Sequence, residues 1–367
     1  MINIGIIGLP QVGKTTLFNV LAGQHVHTGI HGANIESHLG IIPVPDMRLD
    51  RLNELYHPKK ESYAQVEFID TGGLGSQPDK HANAESVQLV SLRNADALVQ
   101  VIRLFSNPNV PHVAETIDPV RDIDRINTEL ILIDLDIIER RLGKIELGLK
   151  KLPKAEQTEK EKEIKILQQM KLTLEEGKFI NQLALNEEEE KTIRGYCFFT
   201  AKPGFLIANI DEQQLGVEPT ERLIATRNYA TKHNLHWIEV AANTEMELTS
   251  MSKEESDQFM QDLGIKTLSR DRVIRTAYEL CNLISFFTVG EDEVKAWTIK
   301  QGTDAVRAAG TIHSDFEKGF IKAEVVHYND LVAAGTMVEA KRKGLVRLEG
   351  KEYIVQDGDI MLFRFQV

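Results

Sequence analysis

Near the start of the chain, Gly8-Leu9-Pro10-Gln11-Val12-Gly13-Lys14-Thr15 sets two glycines, a lysine and a hydroxyl at the spacing G-x-x-x-x-G-K-[ST]. Glycines at those positions let backbone N–H groups turn inward on a phosphate chain. Lys14 can then reach the outer phosphates, and the Thr15 hydroxyl can ligate Mg²⁺. Gln11, Val12, Gly13, Lys14, Thr15 and Thr16 are therefore the candidate phosphate-binding residues. About 55 residues further on, Asp70-Thr71-Gly72-Gly73 closes an apolar run as D-x-x-G. It supplies a carboxylate for the metal and a Gly73 N–H for the terminal phosphate.

Hydrolysis needs a positioned water, and Ras-like enzymes orient it with a Gln directly after D-x-x-G. This chain has Leu74 there, which cannot hydrogen-bond water, so catalysis must draw on another group. His112, in the loop from Asn107 to Thr116, is the candidate, because an imidazole can orient or deprotonate water near neutral pH. Base choice turns on a third element. Guanine-reading enzymes end a strand with N-K-x-D, whereas this chain reads Asn209-Ile210-Asp211-Glu212, without the Lys and with Glu for Asp. That loss favours adenine or a relaxed choice. Asn186 to Glu189 spells the same N-x-x-E inside a polar run, but only Asn209 follows an apolar strand. Asn209, Ile210 and Glu212 are the candidate base-binding residues, with Ala241 and the rest of Ala241-Ala242-Asn243, after Trp237 to Val240, expected to line the base with backbone groups.

These groups need a scaffold. Asn3 to Ile7 is an apolar run, and Lys14 to Ala22 carries Leu17, Val20 and Leu21 at helical spacing, so the glycine loop sits between a strand and a helix. Gln65 to Ile69 and Ala97 to Leu104 are further strands, with a helix expected between Asn83 and Arg93. Alternating strands and helices imply a parallel sheet. From Ile123 the text becomes a long helical stretch, with Leu130, Ile131, Leu135, Ile138 and Leu142 apolar, and Glu156 to Lys178 continues it in alternating charge. This pattern predicts an antiparallel helical pair or coiled coil with its turn at Leu152 to Thr158. Strand and helix then return at Pro203 to Ile210, Glu218 to His233 and His236 to Ala241. From about residue 286 the runs are short and β-like, ending with Tyr353 to Val355 and Ile360 to Phe365. The expected organisation is a nucleotide-binding domain over 1–122 and 203–285, an inserted helical arm over 123–202, and a small β-rich domain over 286–367.

Composition narrows the classes further. The 367 residues carry 43 Lys+Arg against 55 Asp+Glu, a net charge of −12, so bulk charge does not suit the chain to coating nucleic acid. The arm and the C-terminal segment are close to balanced, which leaves room there for a local, salt-sensitive basic face. No run of about 18 apolar residues occurs and the opening lacks a basic, then apolar leader, so a soluble, cytoplasmic protein without membrane contact is expected. Two cysteines, Cys197 and Cys281, suggest buried thiols and not a disulfide framework.

Over essentially its full length the chain resembles the YchF/Obg-like ATPases. The resemblance is carried by Gly8 to Asn19, Gly40 to Leu52, Asp70 to Leu74, Ile126 to Leu135, Thr200 to Glu212 and Phe286 to Val325. It implies a P-loop NTPase of G-domain-like α/β fold with an inserted coiled-coil arm and a C-terminal TGS domain of β-grasp type. It also implies Mg²⁺-dependent hydrolysis of ATP in preference to GTP, and contact with RNA or the ribosome through the TGS domain and arm, without reading of DNA sequence. The family's loop histidine falls on His112. One departure concerns the metal: where the family carries a Cys-Thr-Ile-Glu-Pro type run, this chain reads Ala33-Asn34-Ile35-Glu36-Ser37. Asn34 replaces a Thr that completes the Mg²⁺ shell. Its amide oxygen can still coordinate a hard cation, so altered closure on the metal is expected and not its loss. Two alternatives remain open: a GTPase on the same scaffold, and a ribosome- or RNA-binding protein in which nucleotide is only a structural ligand.

Overall fold

The computed structural model describes residues 2–23, 38–70, 87–149, 152–265 and 267–366. Asn34, Gly73 and Leu74 therefore lie outside the described residues. In chain order the elements are β1 (Ile2–Ile7), α1 (Lys14–Ala22), β2 (His38–Pro43), α2 (Met47–Tyr56), β3 (Lys60–Ser62), β4 (Gln65–Asp70), α3 (Val87–Arg93), β5 (Ala97–Arg103), α4 (Pro119–Leu149), α5 (Lys154–Glu175) and α6 (Glu187–Ile193). They continue as β6 (Gly204–Asn209), α7 (Glu221–Lys232), β7 (Trp237–Val240), α8 (Ala242–Leu248), α9 (Lys253–Asp262), α10 (Ser269–Leu280), β8 (Leu283–Thr288) and β9 (Glu293–Lys300). The last are α11 (Ala305–Ile312), α12 (Ser314–Lys318), β10 (Phe320–His327), α13 (Tyr328–Ala334), α14 (Met337–Arg342), β11 (Arg347–Glu349) and β12 (Asp359–Phe365). The chain divides into two compact units, one of residues 3–40 and 68–270, the other of 1–2, 41–67 and 271–367.

In the first unit the sheet runs β2-β4-β1-β5-β6-β7, and β1, β5, β6 and β7 pair in parallel. Every residue of β5 is buried, as expected of a central parallel strand covered on both faces. At Gly5 an added Cβ would come within 2.5 Å of the Leu92 side chain, so glycine lets α3 pack close over β1. The functional loops leave the same end of these strands, which is where open α/β sheets bind ligands.

The helical pair is built as its sequence implied. Ile131, Ile138 and Ile145 recur at seven-residue spacing along α4 and pack with Leu167, Met170 and Leu174 of α5. α5 starts at Lys154, inside the expected turn of Leu152 to Thr158, with Pro153 as its N-cap residue, where the missing N–H breaks no helical hydrogen bond. Two buried carboxylates fasten the arm. Asp134 accepts from the N–H groups of Phe199 (3.1 Å) and Thr200 (2.8 Å) and from the Thr200 hydroxyl (2.7 Å), tying α4 to the returning chain. Glu163 bonds Arg141 and Lys160 at 2.7 Å each and also Tyr196. Burial disfavours the Glu163 charge, yet those partners outweigh it and hold the carboxyl at about 2.

The second unit has a sheet ordered β11-β10-β12-β8-β9-β3. Its outermost strand comes from far upstream: β3 pairs in parallel with β9, Lys60 opposite Glu293. Arg48, just inside α2, holds that upstream segment in place. It bonds Asp46 and Asp357 at 2.8 Å each and lies over the Phe287 ring at 5.1 Å, while Asp357 also accepts from the Ser285 N–H. Four short helices join this sheet, their starts capped by the side chains of Asp304, His313, His327 and Thr336. Tyr353 to Val355 forms no strand and contributes one bridge, Ile354 to Asp304.

Candidate nucleotide site

The phosphate end is assembled from one loop and one strand tip. Two glycines make the loop possible. At Gly8, with φ +147°, a Cβ would lie 2.5 Å from the Val101 carbonyl; at Gly13, with φ +95°, it would lie 2.2 Å from Asn209 Nδ2. Gln11 takes a left-handed φ of 62° between them, and Val12 is buried. Lys14 opens α1 and is 6% exposed, with Nζ donating to the carbonyls of Gly8 (3.1 Å) and Leu9 (2.8 Å). Burial lowers its pKa to about 8, against the raising pull of Asp70. Thr15 Oγ1 donates to Asp70 Oδ2 at 2.7 Å, bringing together the hydroxyl and the carboxylate singled out as metal ligands. Both are hard oxygen donors of the kind Mg²⁺ prefers, so this pair fits the ion that accompanies a nucleoside triphosphate.

Beside the phosphate loop lies a cavity of about 490 Å³. Gly13 and Thr16 form one wall, Phe105 and Ser106 a second, Asn209 to Gln213 a third, and Asn243, Thr244 and Glu247 of α8 a fourth. Asn209 is a tie, 5% exposed: Nδ2 donates to the Val12 carbonyl at 3.0 Å, and Oδ1 accepts from the Ala242 N–H at 3.3 Å. It thus joins the phosphate loop to the start of α8. Ile210 is buried at the cavity edge, and Glu212 is exposed at the start of a single helical turn whose cap is Asp211. Asp211 also accepts from the Ser106 N–H at 2.8 Å, locking the second and third walls together. Ala241 is buried in the core behind the cavity and does not line it.

His112 is engaged elsewhere. Its side chain is 4% exposed, Nε2 lies 2.9 Å from Asp122 Oδ2, and Nδ1 accepts from the Ala114 N–H at 3.1 Å. An acceptor at Nδ1 places the ring proton on Nε2, which donates it to Asp122, so neither nitrogen has a lone pair to spare. The preceding loop is pinned by Arg103, 2% exposed, which donates to the carbonyls of Phe105, Asn107, Val110 and Pro111. Burial lowers the Arg103 pKa. Arg103 also stacks 4.4 Å from the Phe105 ring centroid.

Sequence reasoning passed over Arg103, Phe105, Asp211, Thr244 and Glu247. A guanidinium at the end of the otherwise apolar ALVQVIR strand was the available signal for the first; the α8 residues carried none.

Residues 3–135 match the family described as "50S ribosome-binding GTPase", and residues 283–366 match the YchF GTPase C-terminal family, described as "Protein of unknown function (DUF933)". The chain is similar to the ribosome-binding ATPase YchF of Bacillus subtilis, 40% identical over 370 residues and 99% of both chains. The Haemophilus influenzae protein of the same description is 42% identical over 368 residues, again 99% of both. Among solved structures it is similar to the Schizosaccharomyces pombe YchF GTPase, with a TM-score of 0.84 and 30% identity over 99% of this chain and 97% of that one.

Proposed function

The chain belongs to the YchF family, and from that premise we propose that it binds ATP in preference to GTP, hydrolyses it with Mg²⁺, and does so as a ribosome-associated factor of the cytoplasm. The observation that carries this reading is the Thr15 to Asp70 contact of 2.7 Å beside the buried Lys14, which gathers a phosphate cation and two metal-ligand oxygens at one helix start. Mg²⁺, when bound with the nucleotide, neutralises developing charge on the phosphates. The backbone N–H groups from Gln11 to Thr16 cradle the phosphates, and Lys14 exchanges its two carbonyl partners for phosphate oxygens. Asn209 holds the loop against α8, and the cavity it borders receives the base, with Ile210 and Glu212 at its edge. Glu212 in place of the guanine-reading Asp is the ground for adenine.

His112 serves as the water-positioning group once it leaves Asp122 and Ala114, so turnover is gated by release of that pair. His112→Ala should lower kcat with little change in KM. Ribosome association rests on the names of the relatives, and we assign it to the C-terminal unit and the arm. No helix among the described residues is long and apolar enough to cross a membrane.

A GTPase reading is favoured by the GTPase family that residues 3–135 match and by the likeness to the S. pombe YchF GTPase. Phosphate release from ATP and from GTP, each with and without ribosomes, separates the readings. Faster ATP turnover that rises with ribosomes is expected. Equal or faster GTP turnover replaces the adenine reading, and no release in any arm replaces the enzyme reading with a binding protein.

A further inference from the structure

A second cavity, of about 280 Å³, lies at the base of the arm, between α4, β5 with β6, and the end of α7. It shares no lining residue with the cavity beside the phosphate loop. By size it exceeds the roughly 150 Å³ apolar cavity that accepts a benzene ring. Gln100 sits on its wall, in the middle of β5, flanked by Val99 and Val101 and 6% exposed. Nε2 reaches the Ile123 carbonyl at a long 3.4 Å, while Oε1 is neither enclosed nor bonded by a described residue, so water or an occupant of the cavity can donate to it.

The rest of the wall defines the occupant. Phe179, Phe199, Phe205 and Tyr229 give it aromatic faces. The charges are already engaged: Lys202 Nζ donates to the carbonyls of Arg93 (2.8 Å) and Ala95 (2.6 Å), and Asp124 accepts from the Tyr229 hydroxyl at 2.7 Å. Tyr229 in turn stacks on His233 with centroids 4.3 Å apart. With those groups held by their neighbours, most of the remaining wall is aromatic and carboxamide surface, which suits a flat apolar ring with one N–H donor.

We propose that this cavity is a binding site for a neutral aromatic N-heterocycle whose ring N–H donates to Gln100 Oε1. The site needs no bound nucleotide and stands whether or not the proposed ATPase reading holds.

Indole is the probe, with benzothiophene as the analogue lacking the N–H, each titrated into the full-length chain by saturation-transfer NMR. Saturable one-site binding of indole is expected. Gln100→Leu should weaken indole about tenfold and leave benzothiophene within about twofold, the discrimination that one hydrogen bond carries. Thr128→Trp, at an exposed position on the rim, should close the cavity to both and does not disturb the core. The proposal is overturned if indole shows no saturable binding up to its solubility, if Gln100→Leu binds indole as the parent does, or if Thr128→Trp leaves either probe bound.

Discussion

From Gly8 to Thr16 the phosphate-binding groups come from consecutive residues, with the distant side chains of Asp70 and Asn209 bonded to Thr15 and to the Val12 carbonyl. The neighbouring cavity is assembled otherwise: Phe105 and Ser106 from one loop, Asn209 to Gln213 from another, Thr244 and Glu247 from α8. Each wall reaches the next through a tie, Asn209 to Val12 and to Ala242, and Asp211 to Ser106. A contiguous loop carries its own geometry and is tuned by single groups. An assembled cavity depends on its ties, so it can change specificity without touching the chemistry.

Substitutions at the two ends should therefore behave differently. Asp70→Asn is the largest expected loss, on the order of 10²- to 10³-fold in turnover, in line with removing one preorganised charged group from an active site. ATP and GTP should fall together; a changed ratio in single-turnover assays would erase the distinction between the ends. Asn209→Ala leaves the Val12 carbonyl and the Ala242 N–H without their partner and should cost about 1–3 kcal/mol of stability by denaturant titration. Its nucleotide affinity should fall about 10- to 100-fold, because it crosses both ends.

Lys14 sharpens the contrast through pH. Its folded pKa of about 8 lies below the ordinary 10.5 of the unfolded chain. Between those values the unfolded chain binds more protons, so the nucleotide-free protein gains stability as pH rises through that window. Triphosphate binding needs the cation back, so affinity should fall about tenfold per pH unit above pH 8, with proton uptake visible as buffer-dependent binding heat. The same affinity from pH 7 to 9.5 would show that Lys14 is already charged. Glu212→Asp should give the smallest effect, about a fivefold shift of the ATP to GTP affinity ratio toward GTP with kcat unchanged, since one carboxylate hydrogen bond contributes about 1 kcal/mol.

How much of this was legible follows from the same contrast. The helix from Lys14 to Ala22 and the strands holding Asp70 and Asn209 were readable, because local periodicity and glycine spacing specify them. So were Ile131 and Ile138 among the apolar positions of the arm, though not the seven-residue spacing that Ile145 completes. His112 was readable as a chemically able residue, but not its attachment to Asp122, ten positions away at the start of α4. Glu247 and Thr244 were not readable at all, since what brings them to the cavity is the packing of α8 beside α1 and not any pattern in their own segment. The four short helices of the C-terminal unit were missed because their apolar runs are too brief to separate helix from strand by period.

The placement of β3 at the edge of the C-terminal sheet has a consequence for synthesis on the ribosome. Residues 41–67 leave the exit tunnel some 200 residues before the chain they pack with. At about 5–20 residues per second that is a wait of roughly 10–40 s. During it Arg48 lacks Asp357 and β3 has no neighbour, so the segment is an open strand edge exposed to wrong pairing until the last quarter of the protein emerges.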